Sequence, residues 1–181
     1  MKKVIVLALS VISAMSLASA QELKFGHINM QEVMYLMDEM DSARVQMEQF
    51  NNDMMETYNA MMEELNNKYR TYQEMQAHWT PSVLATRQQE IQDLQARLQQ
   101  YEQNAQMDAT NLQQQLMTPI IAKANEAVAK VAKANGLIYV FDVSAGAVPY
   151  FDPAQSMDVT AQVRTELNIR PDKTLPQAPQ Q

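Results

Sequence analysis

The sequence predicts a mainly α-helical protein of the α+β class, with a small β body and a long antiparallel helical hairpin at its centre. An apolar residue recurs every three or four positions over 36–79 and again over 84–116, close to the helical period. No glycine occurs between Gly26 and Gly136, so nothing flexible interrupts the helices there. Short apolar runs flank this region on both sides and predict strands.

The first twenty residues, 1–20, have the build of a secretory signal peptide. The start is positive, with two lysines, residues 4–17 are almost wholly apolar, and an Ala-Ser-Ala run precedes the expected cleavage after Ala20. The apolar stretch is too short to span a bilayer. We therefore expect an exported protein that begins at Gln21 and has no stable membrane insertion.

The composition of the mature chain excludes several classes of function. Of the 14 Lys and Arg, 12 remain after removal of the signal peptide, against 21 Asp and Glu, so the net charge is −9. A general nucleic-acid binder needs clustered cations, and we therefore expect no nucleic acid partner. Cysteine is absent from the sequence, which excludes a disulfide scaffold and a Cys-ligated metal.

The helical hairpin arm is predicted over residues 42–116, with its tip at 79–81. Pro81 disfavours helical angles at the preceding residue but suits the first turn of a new helix, for which Thr80 is the expected N-cap. So short a turn folds the second helix back along the first. The apolar seam is expected to contain Leu36, Met40, Ala43, Met47, Phe50, Met54, Tyr58, Met61, Leu65, Tyr69, Tyr72, Met75 and Trp79 on one helix, and Leu84, Ile91, Leu94, Leu98, Tyr101, Ala105, Leu112 and Leu116 on the other.

An oligomerisation body is predicted from residues 21–41 and 117–170, because extended apolar runs occur in both segments. Two or three short strands have a poor core and open edges, so we expect sister chains to complete a β-barrel-like body from which the arm projects. Residues 171–181 hold three Pro and three Gln and are expected to form a disordered tail. The predicted elements of the body are strands at 24–30, 137–143 and 147–151, a kink or restart at Thr118-Pro119, a left-handed cap at Asn135-Gly136, and a helix over 159–167 capped by Asp158 or Thr160.

The two ends of the mature chain carry a recognisable set of motifs. These are Lys24-Phe25-Gly26-His27-Ile28-Asn29-Met30-Gln31-Glu32-Val33, Ile120-x-x-Lys123-Ala124-Asn125-x-Ala127 before Gly136 and Tyr139-Val140-Phe141-Asp142, Tyr150-Phe151-Asp152-Pro153, and Asp158-Val159-Thr160-x-x-Val163. Together they resemble the Skp/OmpH family of periplasmic chaperones. The resemblance covers about 23–167, and the hairpin matches in architecture only.

The resemblance implies a homotrimer in which a shared β-barrel body carries three hairpins around a central cavity. It also implies that this cavity holds unfolded outer-membrane proteins in the periplasm until they reach the outer-membrane insertion machinery. Two features depart from the family. The arm carries 5 basic and 10 acidic residues where cationic arms are expected, which leaves electrostatic client capture and lipopolysaccharide binding open, and Pro149 stands in a predicted strand.

Methionine is the residue type that points most directly to function, since ten methionines lie between residues 30 and 75. A surface of unbranched thioethers adapts to many partners. Met47, Met54 and Met61 are explained by packing in the seam, whereas Met55 and Met62 sit one position off it and are expected to have no partner within the chain. Trp79 at the tip either inserts into a client or a membrane surface or packs across the turn. The residues expected to contact clients are Met55, Met62, Tyr69, Tyr72 and Trp79.

No catalytic, cofactor-binding or metal-binding residues are predicted, and we expect a protein that is not an enzyme. His27 and His78 are about fifty residues apart without matched carboxylates, and Ser144 has no positioned base. Turn, cap and strand-end roles explain the three aspartates near the C-terminus, Asp142, Asp152 and Asp158. The sequence also lacks a Gly-rich phosphate loop, so we expect no nucleotide cofactor.

Two functions follow from this pattern. The first is an ATP-independent periplasmic holdase that binds unfolded outer-membrane proteins between helical arms and prevents their aggregation. The alternative is a structural or adaptor coiled-coil protein of the cell envelope that docks one specific folded partner. Suppression of aggregation of many unrelated unfolded proteins favours the holdase, and tight binding of one native partner favours the adaptor.

Overall fold

The computed structural model describes residues 23–175, where long helices accompany a small three-stranded sheet, and it confirms the predicted fold class. The predicted signal peptide, its cleavage site and residues 176–181 of the predicted tail lie outside the described residues. The elements are β1 (Phe25–Ile28), α1 (Met30–Leu36), α2 (Asp38–Met75), a 3₁₀ turn (Gln76–His78), α3 (Pro81–Asn135), β2 (Tyr139–Asp142), β3 (Ser156–Asp158) and α4 (Thr160–Glu166).

The described residues form two compact units. The sheet unit contains residues 23–33 and 125–170, and the helix-pair unit contains residues 34–124 and 171–175. Each unit buries its own set of apolar side chains. In the sheet unit these come from β1, α1, α3 and α4, namely Ile28, Val33, Ala127, Val131, Val159 and Val163.

The sheet unit is organised around β1, which lies between the two C-terminal strands in the order β2-β1-β3. Both pairings are parallel, and Phe25 lies opposite Tyr139 on one side and Ser156 on the other. The strands predicted at 24–30 and 137–143 are thus present in shorter form. The strand predicted at 147–151 is wrong. Pro149 has no N–H to donate, and β3 takes the place beside β1.

Helix α4 begins at Thr160, and Val159 at its N-cap position has no capping side chain, so the neighbouring Asp158 accepts the first N–H of the helix. Asp158 Oδ1 accepts the N–H of Thr160 at 2.9 Å, and the Thr160 hydroxyl oxygen accepts the N–H of Asn29 at 3.1 Å. Hydrogen bonds from the Thr160 side chain and backbone, together with the charge of His27, hold the pKa of Asp158 below its ordinary 3.8.

Helix α2 does not continue α1, although the apolar period runs unbroken over 36–79. The helix breaks at Met37, whose backbone is extended with φ −67° and ψ 142°. The Met37 side chain is only 1 % exposed, and its carbonyl accepts the N–H groups of Met40 and Asp41 at the start of α2. The break therefore coincides with burial of the Met37 side chain. No Gly or Pro lies beside Met37 in the sequence to predict it.

Helix α3 runs without restart from Pro81 through Pro119, so the restart predicted at Thr118-Pro119 is wrong. Pro119 removes one hydrogen bond, the one that Gln115 O would accept, and both residues are exposed so that water can replace it. Ile120 and Ala124 are buried in the following turns and hold the helix in place. Packing therefore outweighs the loss of one backbone bond.

The two ends of α3 behave as predicted. Pro81 is its first residue, and Thr80 O accepts the N–H of Leu84 at 2.9 Å, while the Thr80 hydroxyl faces the Ser82 hydroxyl at 3.1 Å. Thr80 therefore caps through its carbonyl and not through its side chain. At the other end Gly136 has φ +67°, the left-handed conformation predicted for this cap.

The first residues of the predicted tail, 171–175, have neither helix nor strand, and one of them contacts α2. Lys173 Nζ lies 2.9 Å from Asp38 Oδ1 and also pairs with Asp41. The side chain of Lys173 donates to Asp41 and holds the pKa of that carboxyl below its ordinary value. Disorder of the tail remains a prediction for residues 176–181.

The Asp158 cap makes the sheet unit sensitive to acid, which an Asp158→Asn variant tests. Because the pKa of Asp158 is lowered in the folded state, its stabilisation is complete above the unfolded value of 3.8 and is lost as the pH falls through the lower folded value. We expect Asp158→Asn to lose about 0.5–1 kcal/mol of unfolding free energy at pH 7, because a hydrogen bond accepted by a charged carboxylate is stronger than one accepted by a neutral amide.

Thermal unfolding followed by circular dichroism between pH 7 and pH 3 measures this effect. The difference between the wild type and Asp158→Asn should shrink below pH 4, whereas Asp108→Asn, at an exposed position of α3, should match the wild type throughout. A difference that stays constant with pH would show that the carboxylate charge has no part in the cap.

Candidate functional site

The tip half of the helix pair has a well-packed apolar core. Leu65 of α2 packs with Ile91, Leu94 and Leu98 of α3, and Leu94 is only 1 % exposed. Four half-buried side chains of α2 pack against this cluster, namely Tyr58, Met61, Met62 and Tyr72. The seam predicted from the helical period is therefore confirmed around this cluster, but its predicted members Tyr69 and Met75 are 39 % and 42 % exposed.

Polar contacts across the seam show that α2 and α3 run antiparallel. The Tyr101 hydroxyl donates to Met54 O at 3.2 Å, and Gln95 Nε2 donates to the Tyr69 hydroxyl at 2.8 Å. Residue numbers thus rise on α2 as they fall on α3. The two helices form the predicted hairpin, and its tip is the turn before Pro81.

The other half of the seam is less tightly packed, since Ala43 and Ala105 are its only buried side chains over 40–54 and 101–117. A groove of about 500 Å³ between the two helices is lined by five apolar side chains, Met40, Ala43, Met47, Leu116 and Met117, and by five polar ones, Arg44, Glu48, Asn51, Asn52 and Gln113. All the apolar ones except Ala43 are only half-buried. This half of the seam therefore leaves apolar surface within reach of a partner.

A second groove, of about 210 Å³, lies further along the pair beside Met54, Met55, Tyr58, Tyr101 and Ala105. Met55 is 51 % exposed, and Met54, Tyr58 and Tyr101 are half-buried. The two grooves are lined chiefly by thioether, aromatic and aliphatic groups, so contact with extended apolar chains is the interaction that this surface favours.

The residues expected to contact clients are not equivalent in the structure. Met55 is exposed as predicted, and Tyr69 is 39 % exposed. The expectation that Met62 has no partner within the chain is wrong, because Met62 is half-buried against the cluster around Leu65 and Leu94. The error arises because the seam is wider than one residue per turn, so a position beside the stripe is still covered.

Trp79 packs across the turn at the tip. Its ring meets that of Tyr72 edge-on, with centroids 6.0 Å apart, and the Arg87 guanidinium carbon lies 5.9 Å from the Trp79 centroid. The indole is half-buried by these contacts. Of the two interpretations of Trp79, packing across the turn is therefore the one observed in the isolated chain, and its exposed remainder is the part open to a client.

Several basic side chains of the arm are paired with acids. Lys68 Nζ lies 3.1 Å from Glu90 Oε2, and Arg87 Nη1 lies 3.0 Å from the same atom. Donation from Lys68 and then from Arg87 holds the pKa of Glu90 below its ordinary value. Arg44 likewise pairs with Asp41. With an excess of five acids over 42–116, these pairs leave little positive field to attract anionic partners.

An aromatic ladder on the sheet was not predicted as a site. The rings of Phe25, Tyr139 and Phe141 stack with centroids 6.0–6.5 Å apart, and Tyr139 is 61 % exposed. Because residues 139 and 141 alternate with 140 along β2, they point to the same face of the sheet. This alternation of residues 139–141 is the feature of the sequence that could have predicted the ladder. It does not show which face of the sheet is covered.

The polar residues near the C-terminus serve structural roles. Asp142 Oδ1 accepts the N–H groups of Met30 and Ser144, and His27 Nδ1 lies 2.9 Å from Ser156 Oγ. The three aspartates thus act at turns, caps and strand ends as expected. Within residues 23–175, no group of three or more His, Asp or Glu side chains is placed to hold a metal ion.

The packing of Leu94 predicts how strongly the helix pair depends on its tip cluster. Truncation of a fully buried Leu leaves a cavity, so we expect Leu94→Ala to lower the unfolding free energy by about 2–5 kcal/mol. Val83→Ala, at an exposed position of the same helix, should change it by less than about 0.5 kcal/mol. Urea unfolding followed by circular dichroism measures both. Equal effects of the two substitutions would contradict the packed seam.

Comparison with known proteins places this architecture in a family. The family model described as "Outer membrane protein (OmpH-like)" matches residues 24–167, a range that contains every strand and helix described above. No curated protein matches the chain significantly. Within residues 23–175, every helix is too short or too polar to pass through a bilayer. At the level of the family, the match supports a periplasmic chaperone of outer-membrane proteins. The chain belongs to the OmpH-like family.

Proposed function

We propose that the protein is an ATP-independent periplasmic holdase that binds unfolded outer-membrane proteins between helical arms and prevents their aggregation. The observation that carries this proposal is the open half of the α2–α3 seam, where half-buried methionines line two apolar grooves. An unfolded chain offers many short apolar segments, and such grooves accept them without a defined sequence. The family match supports the same class of function.

The holding mechanism rests on many weak contacts that act together. Each methionine or tyrosine contact is small and breaks quickly, but contacts on several arms raise the effective local concentration of client segments. Release follows when the client folds or is taken over by the outer-membrane insertion machinery. The sequence has no Gly-rich phosphate loop, so nucleotide hydrolysis in this chain has no part in release.

A homotrimer supplies the several arms that this mechanism needs. In this proposal, residues 21–41 and 117–170 form the shared body, 42–116 form the arm, and the signal peptide is removed after Ala20. Support comes from the exposed ladder of Phe25, Tyr139 and Phe141, because stacked aromatic rings on an open sheet are costly in water and are covered when sister chains pack there.

The client-binding role of the grooves is tested with Met55→Gln. Because Met55 is exposed, its substitution removes apolar contact area without a cavity, and we expect the concentration needed for half-maximal suppression of client aggregation to rise about threefold. Light scattering from a urea-unfolded outer-membrane barrel diluted with the protein measures this. Met62→Gln is a second variant, in which the loss of stability should be measured alongside.

Met107→Gln is the matched control, since Met107 is 57 % exposed on α3 and lies outside the proposed client set. It should leave aggregation suppression unchanged. Equal effects of Met55→Gln and Met107→Gln would show that the grooves have no special part in client binding. Failure of the wild type to protect several unrelated unfolded barrels, together with tight binding of one folded envelope protein, would establish the adaptor function instead.

The oligomeric body is tested with Tyr139→Ser in the aromatic ladder. Loss of this ring from a buried interface should shift the molar mass from that of three chains toward that of one, with a dissociation constant raised at least about tenfold. Light scattering coupled to size exclusion measures the mass. Tyr150→Ser, at an exposed ring outside the ladder, should leave the mass unchanged. A monomeric wild type would overturn the shared body.

A further inference from the structure

The two helices of the pair differ sharply in their content of oxidisable side chains. Helix α2 contains seven methionines, whereas the longer α3 contains two. Opposite the seam methionines of α2, helix α3 presents mainly Leu, Ile, Ala and Tyr side chains. The sequence has no cysteine, so methionine is the sulfur-containing residue that a two-electron oxidant meets.

The methionines also differ in access within the helix-pair unit. Met37 is 1 % exposed, whereas Met40, Met47 and Met54 are half-buried beside the two grooves. These three side chains line the grooves and are partly exposed, whereas Met37 is almost fully buried. Met55 is exposed and has no such role in the seam.

We propose that Met40, Met47 and Met54 are oxidant-modification sites and that their conversion to methionine sulfoxide opens the middle of the α2–α3 seam. The oxidant class is a hydroperoxide. The thioether sulfur forms a bond to the terminal peroxide oxygen, the O–O bond breaks, and the remainder leaves as an alcohol or as water. Sulfur loses two electrons, the peroxide gains two, and no net proton is released.

The opening follows from what the modification does to packing. A sulfoxide is polar and chiral, so it disfavours the apolar position that the thioether occupied. On one side of these residues the seam is held by Leu65, Ile91, Leu94 and Leu98, and on the other by the buried Leu36, Met37, Ile120 and Ala124. The Leu, Ile and Ala side chains of these clusters are not oxidised, and Met37 is shielded because it is only 1 % exposed. Met61 and Met62 lie half-buried against the cluster around Leu94, but its four buried aliphatic side chains remain unmodified. The middle of the pair should therefore open while its two ends stay packed.

The test maps oxidation and opening in the same sample of the purified protein. After graded treatment with hydrogen peroxide, peptide mass spectrometry should show Met47 and Met54 gaining oxygen at least about tenfold faster than Met37. Hydrogen exchange of the amides in 40–61 and 98–117 should then speed up, while exchange in 84–97 should stay at the untreated rate. Methionine sulfoxide reductases with a dithiol should restore slow exchange.

The matched control replaces Met40, Met47, Met54 and also Met117 by Leu, since Met117 shares the groove with Met40 and Met47 and Leu preserves the volume without being oxidised. The exposed Met55 and Met107 of this variant should still be oxidised, but its exchange should not change on peroxide treatment. The proposal is overturned if Met47 and Met54 react no faster than Met37, if they react without faster exchange, or if this fourfold variant opens as the wild type does.

Discussion

The apolar seam between α2 and α3 is the interaction on which the helix pair depends. Over residues 38–116 each helix packs against the other along one face, and most of its remaining side chains are exposed. The tightest part of the seam consists of four aliphatic side chains, Leu65, Ile91, Leu94 and Leu98. Burial of one Leu contributes about 2 kcal/mol, so the pair has few such contributions and each matters. Packing along one face also leaves apolar surface beside the seam available to a partner.

The sheet imposes a second constraint, because β1 near the N-terminus pairs with two strands that follow more than 110 residues later. Neither β2 nor β3 has another neighbour within residues 23–175. The helix pair is therefore inserted between strands that pair with each other. The sheet unit forms only when the segments before and after this insertion are both present. Gly26 shows how closely β1 packs against the C-terminal segment, because a Cβ atom added at Gly26 would lie 2.7 Å from Leu137 Cδ1.

The sequence predicted the two long helices and also β1, β2 and α4, but it missed the features that tertiary packing decides. Over 43 residues of α2 and its approach, the helical period is repeated often enough to fix which face is buried. At Pro119 a local rule failed, because burial of Ile120 and Ala124 holds the helix through a missing hydrogen bond. The strand predicted at 147–151 is wrong because another segment, Ser156–Asp158, pairs with β1 in its place. Only the tertiary structure shows which of the two segments pairs.

The exposure of the candidate client residues could be predicted only in part, and the reason bears on mechanism. Periodicity identified Met55 as exposed, but it could not show that the seam is wide enough to cover Met62 or that it loosens around Met47. The width of a seam depends on how closely two helices approach, which no single helix encodes. Because Lys68 and Arg87 are already paired with Glu90, these two cations add little electrostatic attraction for a client. Apolar contact is therefore the main attraction between this surface and a client. The loosely packed methionines of the seam suit it, because a flexible thioether can exchange one apolar neighbour for another at little cost in free energy.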